Sequence, residues 1–235
     1  MPGDNLYRLA RHYGTTVQAL LALNPGIRPY NLQIGSTIAV CPGDGYAETP
    51  DMETRQEYRT WTELLVNMRA VWAEHVFWTR LLLVSIAGRL ADQSATTERL
   101  LRNPYDIARI FAEYYSGGSA NQIAALLTEH LKIGAALITA LRDGQSAEAN
   151  DLNRRWYINA GRMADTFADI NPAYDREILR QMFFTHLQLT TQEVLARLAG
   201  NYRGDIAAMD KVQQEVRTMA DYLALGIMKQ FPEKF

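Results

Sequence analysis

The chain has 235 residues, of which 48% are hydrophobic and 21% charged, and this composition excludes collagen-like, low-complexity and largely disordered proteins. Its 24 basic residues are balanced by 26 acidic ones, so no basic excess favours a nucleic acid partner. A single cysteine, Cys41, excludes an intramolecular disulfide and makes a reducing compartment the simpler expectation.

Signals for targeting and for membrane insertion are not evident in the sequence. The first residues read Met-Pro-Gly-Asp-Asn, without a basic region followed by an apolar one, so no signal peptide is expected. The most apolar stretch, residues 76–88, contains Arg80 and is shorter than the roughly 18 apolar residues that a membrane span needs. The sequence therefore predicts no membrane span.

The amino-acid composition of the sequence changes near residue 43. Residues 1–43 are rich in glycine and proline, whereas both become sparse from about residue 53 onward. Turn-forming residues crowd the stretch 42–50 between the two regions. These shifts predict a small module over residues 1–43, a linker over 44–52 and a larger domain over 53–235.

The pattern of the module predicts two short amphipathic helices and one strand. Gly14 is suited to end the first helix and Thr15 or Thr16 to cap the second, while residues 24–26 (Asn-Pro-Gly) end the second helix. Residues 35–40 have the composition of a β-strand. The apolar positions that mark the helices are Leu6, Leu9 and Ala10, followed by Val17, Leu20, Leu21 and Leu23.

The same module resembles the LysM family over the stretches PGDNLYRLARHYGTTVQALLALNPGI and NLQIGSTIAVCP. The resemblance implies a βααβ unit that binds glycans containing N-acetylglucosamine, chiefly peptidoglycan and chitin. The family's first strand has no counterpart before Gly3 in this sequence. Either the true start of the module lies upstream or the module has lost this strand. A truncated module is expected to be marginally stable, since a remaining lone strand would leave backbone groups unpaired.

The resemblance places a sugar groove on two loops of the module. Neutral sugars are bound by backbone and amide hydrogen bonds beside small apolar surfaces, which both loops offer. Alternatively, Asp4 or Asn5 caps the first helix and Asn24 and Pro25 simply end the second. The implied glycan-binding residues are Asp4, Asn5 and Leu6 in one loop and Asn24, Pro25, Gly26 and Ile27 in the other.

The second region follows helical periodicity almost throughout, so the predicted fold class is mainly α. Asn103-Pro104 and Asn171-Pro172 each place an N-cap residue before a proline, which is a typical helix start. Because the connections are short, the helices are expected to pack as an up-and-down antiparallel bundle. The predicted helices span residues 53–89, 104–115, 119–142, 146–169, 174–199 and 203–230.

Three histidines of this region lie on apolar helical stripes, within the similar segments EHVFW, EHLKI and THLQL. One interpretation is a metal site formed by His75, His130 and His186, completed by Asn159, an acidic residue or water, and binding one Zn, Fe, Cu or Ni ion. The alternative is that each histidine is a structural core residue bonded to a neighbouring polar group.

Two common metal-binding motifs of helical proteins are absent from the sequence. The sequence has neither the Glu-x-x-His pairs of di-iron bundles nor a His-Glu-x-x-His zinc-protease helix. Arg80, within an apolar run, is expected to pair with an acidic residue of a neighbouring helix. Asp205, Asp210 and Asp221 are expected to lie on a solvated face of the last helix.

Residues 61–235 contain the segments HVFWTRLLLVSIA, RLLRNPYDIA, LLTEHLKIGAALI, WYINA, HLQLTTQEVLARL and GIMKQFPEKF. Through these segments the region resembles an uncharacterised family of helical proteins from Gram-positive bacteria, whose members are often labelled acetylglutamate kinases. Such a kinase needs an α/β sheet and glycine-rich phosphate loops, and this sequence predicts neither. The first functional hypothesis is therefore a non-enzymatic protein of the cell envelope or spore that binds glycan. Its bundle would act as an interaction or sequestering domain, through a protein partner or self-association. The second hypothesis is a metal-binding bundle with a catalytic or storage role.

Overall fold

A computed structural model describes residues 6–13, 15, 17–27, 35–40 and 61–235 of the chain. The chain divides into two compact units, Met1–Tyr58 and Arg59–Phe235. The predicted linker over residues 44–52 lies outside the described residues, and so do the predicted caps Gly14 and Thr16.

The first unit contains two short helices, α1 (Leu6–His12) and α2 (Val17–Leu23). Leu6, Ala10 and Leu20 form its buried centre. Ile38, from the segment after the helices, packs against this centre and is partly buried. The two helices therefore hold together through a few apolar contacts, as their amphipathic pattern predicted.

The strand predicted over residues 35–40 is not formed in the described part of this unit, where residues 36–40 have no regular secondary structure. A strand needs a neighbour that supplies donors and acceptors to its backbone, and among the described residues the Asn24 side chain supplies both to Ala39. Its Nδ2 donates to the carbonyls of Leu20 (2.7 Å) and Ala39 (2.8 Å). Its Oδ1 accepts from the Ala39 backbone N–H (2.8 Å). The N–H and the carbonyl of Ala39 are therefore both bonded to one side-chain amide.

The second unit is helical. Its observed helix ends differ from the predicted ones by one or two residues at most positions. Residues 53–60 of the first predicted helix lie outside the described residues. The helices are α3 (Trp61–Gly88), α4 (Gln93–Leu100), α5 (Asn103–Ala112), α6 (Gly117–Arg142), α7 (Ser146–Ile170), α8 (Arg176–Leu198) and α9 (Tyr202–Gln230).

Helix α4 was not predicted from the sequence. It has eight residues, and only Thr96 and Leu100 are buried, so its apolar pattern is too weak for the periodicity to be recognised. Helix α4 and helix α5 together take the place of one long helix between α3 and α6.

Two predicted helix ends were wrong because capping residues interrupt the helical pattern. The helix predicted to reach residue 115 ends earlier, since Ser116 caps α6 by accepting a backbone hydrogen bond at 3.2 Å. The helix predicted to start at residue 174 starts later, because Asp175 accepts backbone hydrogen bonds at 2.9 and 3.0 Å from the first turn of α8.

The long helices of the second unit form the predicted up-and-down arrangement. Two ion pairs connect α3 to α9, Arg69 with Asp221 and Arg80 with Asp205. Residues early in α3 thus pair with residues late in α9, so these two helices run antiparallel. Helix α7 packs between α6 and α8, and α9 between α8 and α3. Helices α3, α6 and α8 consequently run in the same direction, and α3 contacts both of the others.

Close approach of an aromatic ring to the backbone of α9 requires a glycine at position 226. A Cβ atom built there would lie 1.8 Å from Cε1 of Tyr174. This ring cannot turn away freely, because Tyr174 is buried and its hydroxyl donates to the Leu223 carbonyl at 2.5 Å. We expect Gly226→Ala to lower the free energy of unfolding by about 1–3 kcal/mol through overpacking.

Urea denaturation measures this change, and Gly161→Ala in α7 is the matched control. No atom lies within 4 Å of a Cβ built at Gly161, so this replacement should stabilise the helix by about 0.5–1 kcal/mol. Equal effects of the two replacements would contradict the close packing of Tyr174 on α9.

Two helices of the second unit, α3 and α6, are long and apolar enough to cross a membrane by length and composition alone. Of their most apolar windows, 39% and 61% respectively are buried within the structure. Core helices of bundles pass the same test, so it is weak evidence for a span.

Candidate functional site

The structure brings together three histidines that are far apart in the sequence. His75 on α3, His130 on α6 and His186 on α8 are 3%, 4% and 6% exposed. The ring centroids of His75 and His186 lie 5.8 Å apart. All three imidazoles line one cavity of about 20 Å³, which is enough space for about one water molecule.

Each of these imidazoles is held by a hydrogen bond from its Nδ1 atom to a side-chain oxygen on another helix. The three acceptors lie on α5, α7 and α9, each on a helix that follows the helix of its histidine in the chain. The pairs are His75 with Asn103 Oδ1 (3.1 Å), His130 with Asn159 Oδ1 (3.0 Å) and His186 with Glu215 Oε2 (3.0 Å).

The environment of the partners fixes which nitrogen of each imidazole carries the proton. Asn103 Nδ2 donates to the Val71 carbonyl (2.8 Å) and Asn159 Nδ2 to the Leu126 carbonyl (3.1 Å), so their Oδ1 atoms are acceptors. A carboxylate oxygen such as that of Glu215 is also an acceptor. The Nδ1 atoms therefore carry protons, and in a neutral imidazole this leaves the lone pair on Nε2.

The three histidine pairs recur at a regular spacing along the chain. The partner follows its histidine by 28, 29 and 29 residues. Consecutive histidines are separated by 55 and 56 residues. The second unit is thus built from three similar helix pairs, each of which contributes one imidazole and one acceptor to the same level of the bundle.

Burial keeps two of the three imidazoles neutral. Loss of hydration, together with the nearby His186, lowers the pKa of His75 to about 3. The pKa of His130 is lowered to about 3 by the same loss of hydration and by the other two histidines. At neutral pH both are therefore uncharged and keep their Nε2 lone pairs.

The remaining wall of the cavity is mostly apolar. Thr79 is an exception, because its Oγ1 atom is buried and has no hydrogen-bond partner among the described residues. The Thr190 hydroxyl donates to the His186 carbonyl (2.8 Å) and keeps its acceptor lone pairs. The apolar lining residues are Leu82, Leu100, Leu131, Gly134, Ala135, Ile138 and Trp156.

Trp156 fixes one side of the cavity. Its ring packs against the His130 ring with centroids 5.1 Å apart, and its Nε1 donates to the His130 carbonyl (3.1 Å). Across the described part of the chain, no three His, Cys, Asp or Glu side chains already stand in a geometry that holds a metal ion. The imidazoles are thus gathered and oriented without being closed around a common point.

Sequence reasoning missed two of the three acceptors. Asn103 was predicted to cap α5, but it is the first residue of that helix and its amide instead connects His75 to the Val71 carbonyl. Glu215 was not singled out. The regular spacing of 28–29 residues after each histidine is the signal that points to both.

Asn159 was predicted as a possible fourth ligand, and its amide is engaged elsewhere. Its Oδ1 accepts from His130, and its Nδ2 donates to Leu126 and to Glu129 Oε2 (3.0 Å). Glu129 in turn accepts from Arg162 at 3.0 Å. Asn159 therefore positions His130 through a chain of hydrogen bonds that reaches the surface.

A buried ion cluster lies beyond the histidines along α3. Arg80 donates to Glu193 Oε1 (2.8 Å) and to Asp205 Oδ2 (2.7 Å), which confirms the predicted pairing of this arginine. The prediction of a solvated Asp205 was wrong, since its side chain is fully buried and is also approached by Arg197 at 3.3 Å. A buried carboxylate is stable only when it is paired and hydrogen-bonded, and the two arginines supply this pairing.

The electrostatics of this cluster follow from its burial and its pairing. Loss of hydration raises the pKa of Glu193 despite the neighbouring Arg80. Burial opposes ionisation of Asp205 too, but hydrogen bonds from Arg80 and Arg197 prevail and hold its pKa below the usual range. Asp205 is therefore ionised at neutral pH and pairs with both arginines.

In the first unit, the predicted glycan-binding residues have different surroundings. Leu6 is 3% exposed and belongs to the buried centre, and the Asn24 amide is engaged with Leu20 and Ala39. Pro25 and Gly26 are exposed, and Ile27 is partly buried against the centre. Asp4 and Asn5 lie outside the described residues.

Comparison with known families bears on the first unit of the chain. Residues 2–40 match the LysM domain family. This match points to binding of glycan such as peptidoglycan or chitin. No curated protein and no solved structure matches the chain.

Proposed function

We propose that this protein is a non-enzymatic component of the cell envelope or spore that binds N-acetylglucosamine-containing glycan through its first unit. The observation that carries the proposal is the LysM match over residues 2–40. The helical second unit then acts as an interaction or sequestering domain. Peptidoglycan is the expected glycan, with chitin as the chemically similar alternative.

The loop formed by residues 24–27 is the part of the described first unit best suited to contact a sugar. Pro25 and Gly26 are exposed, so their backbone groups and the apolar proline ring are accessible. The Asn24 amide holds the loop by its bonds to Leu20 and Ala39 and so fixes its shape before a ligand binds. A loop of fixed shape loses little conformational entropy on binding.

A single substitution in this loop tests the proposal. No atom lies within 4 Å of a Cβ built at Gly26, so Gly26→Glu should fold normally while placing a bulky charged group over the sugar contact. We expect the full-length protein to co-sediment with insoluble peptidoglycan or chitin, and the variant to bind at least tenfold more weakly. The measurement is the bound fraction as a function of glycan concentration.

Gly117→Glu is the matched control for this substitution. Gly117 is also exposed, has open space around its Cβ position and lies in the second unit, so the same charge is added away from the loop. This variant should bind glycan like the unaltered protein. Failure of the unaltered protein to co-sediment, or equal binding by both glutamate variants, would contradict the proposal.

A further inference from the structure

Hydrogen bonding in the histidine cavity is incomplete in a specific way. Each Nδ1 atom bonds to its own acceptor, so Nε2 of a neutral imidazole is left to accept, and no hydrogen bond from a described residue reaches any of the three Nε2 atoms. A water molecule, for which the cavity has room, has only two hydrogens and satisfies two of these three acceptors. A third Nε2 acceptor then depends on another donor such as the Thr79 hydroxyl, which lines the same cavity without a partner among the described residues.

A divalent cation satisfies all three lone pairs at once. We propose that the cavity is a binding site for one divalent transition-metal ion of the zinc class, with Nε2 of His75, His130 and His186 as ligands. Neutral imidazole suits Zn²⁺ and its first-row neighbours. This inference concerns the second unit only and does not depend on the proposed glycan binding.

The hydrogen bonds behind the imidazoles have the arrangement that a metal site requires. A histidine ligand normally donates its other ring N–H to a carbonyl or carboxylate, which orients the ring and increases its basicity. Here Asn103, Asn159 and Glu215 accept these three bonds.

Ring positions are close to those of bound imidazoles. With metal–nitrogen distances near 2.0–2.1 Å, two imidazoles on a tetrahedral ion have ring centroids about 5 Å apart. The observed separation of the His75 and His186 rings is 5.8 Å. Binding therefore draws the side chains inward by less than about 1 Å for this pair, which rotation of the imidazoles supplies.

The fourth position of such a site is left for water. Thr79 Oγ1, buried and without a partner in the described part of the chain, lines the cavity and is available to that water. The Thr190 hydroxyl oxygen, on the same wall, still accepts a hydrogen bond. Three histidines and one water form the open type of zinc site rather than the closed structural type.

Titration of the chelator-stripped full-length protein with Co²⁺ and Zn²⁺ tests the site. Co²⁺ should bind at one equivalent with the visible absorption of a tetrahedral ion, and Zn²⁺ should displace it. His75→Gln, His130→Gln and His186→Gln should each abolish stoichiometric binding. His12→Gln, which alters an exposed histidine of the first unit, is the matched control and should bind like the unaltered protein.

A second measurement keeps the test decisive if the glutamine variants fold poorly. In the unaltered protein, Co²⁺ should produce three strongly shifted, exchangeable NMR signals from the Nδ1 protons. Asn103→Leu should retain one equivalent of metal but bind it about 10–100-fold more weakly. Substoichiometric binding by the unaltered protein, or Co²⁺ spectra without shifted imidazole protons, would overturn the proposal and leave a water-filled polar core. Gly26→Glu should leave metal binding unchanged, which separates this test from the glycan test.

Discussion

Replacing Asp205 with alanine should lower the free energy of unfolding by about 3–5 kcal/mol, the largest effect expected of any single substitution considered. Asp205 is fully buried and accepts from both Arg80 and Arg197. Its removal leaves the guanidinium of Arg80, whose side chain is only 17% exposed, with Glu193 as its remaining partner. Urea denaturation at neutral pH measures the loss.

Asp221→Ala is the matched control, because it breaks another arginine–aspartate pair between the same two helices. Arg69 is half exposed and Asp221 about one third exposed, so water replaces the lost contact. The expected loss is about 0–1 kcal/mol. If Asp205→Ala destabilised the protein no more than this control, the claim that the buried ion pair contributes more to stability than the exposed one would be wrong.

The second large effect is a loss of stability in mild acid that originates from the buried imidazoles. His75 and His130 have pKa values of about 3 in the folded protein, against about 6.5 in the unfolded chain. Between these values only the unfolded chain binds the protons, so stability is complete above pH 6.5 and falls as the pH is lowered. Each histidine contributes about 1.4 kcal/mol per pH unit, and together they should remove about 4 kcal/mol between pH 7 and pH 5.

Urea denaturation in the presence of a chelator, at intervals between pH 7 and pH 5, measures this dependence without competition from metal. Most carboxylates remain ionised over that interval, so the imidazoles dominate the slope. His130→Gln should fold with a slope smaller by about one proton, and His12→Gln, whose imidazole is exposed, should keep the slope of the unaltered protein. A slope that does not change in His130→Gln would contradict a neutral buried His130.

Much of the fold follows from the sequence because apolar periodicity and turn residues act locally. Long helices such as α6 and α9 have enough buried positions for their period to be evident. Helix α4 was missed because it buries only two residues. The strand predicted over residues 35–40 is not formed in the described part of the chain, where Ala39 bonds to the Asn24 side chain, and strand propensity does not record what lies beside a segment.

The candidate metal site was predictable in part. Histidines on apolar stripes indicated which imidazoles face the core, and the up-and-down order of helices places α3, α6 and α8 in the same direction. The acceptors were not predictable from residue type, because Asn103 before a proline is a typical helix cap and Glu215 resembles a surface residue. Their role depends on long-range contacts that only the packed helices create.

Three asparagines whose side chains hold other parts of the two units share a chemical protection. Asparagine ages by deamidation, in which the backbone nitrogen of the following residue attacks the side-chain amide, and proline has no N–H for this attack. Asn24, Asn103 and Asn171 are each followed by proline. Deamidation would turn the Nδ2 donors that hold Ala39, Val71 and Tyr115 into acceptors and break those bonds. The chain thus resists, at these three amides, the slow spontaneous damage that accumulates in long-lived proteins.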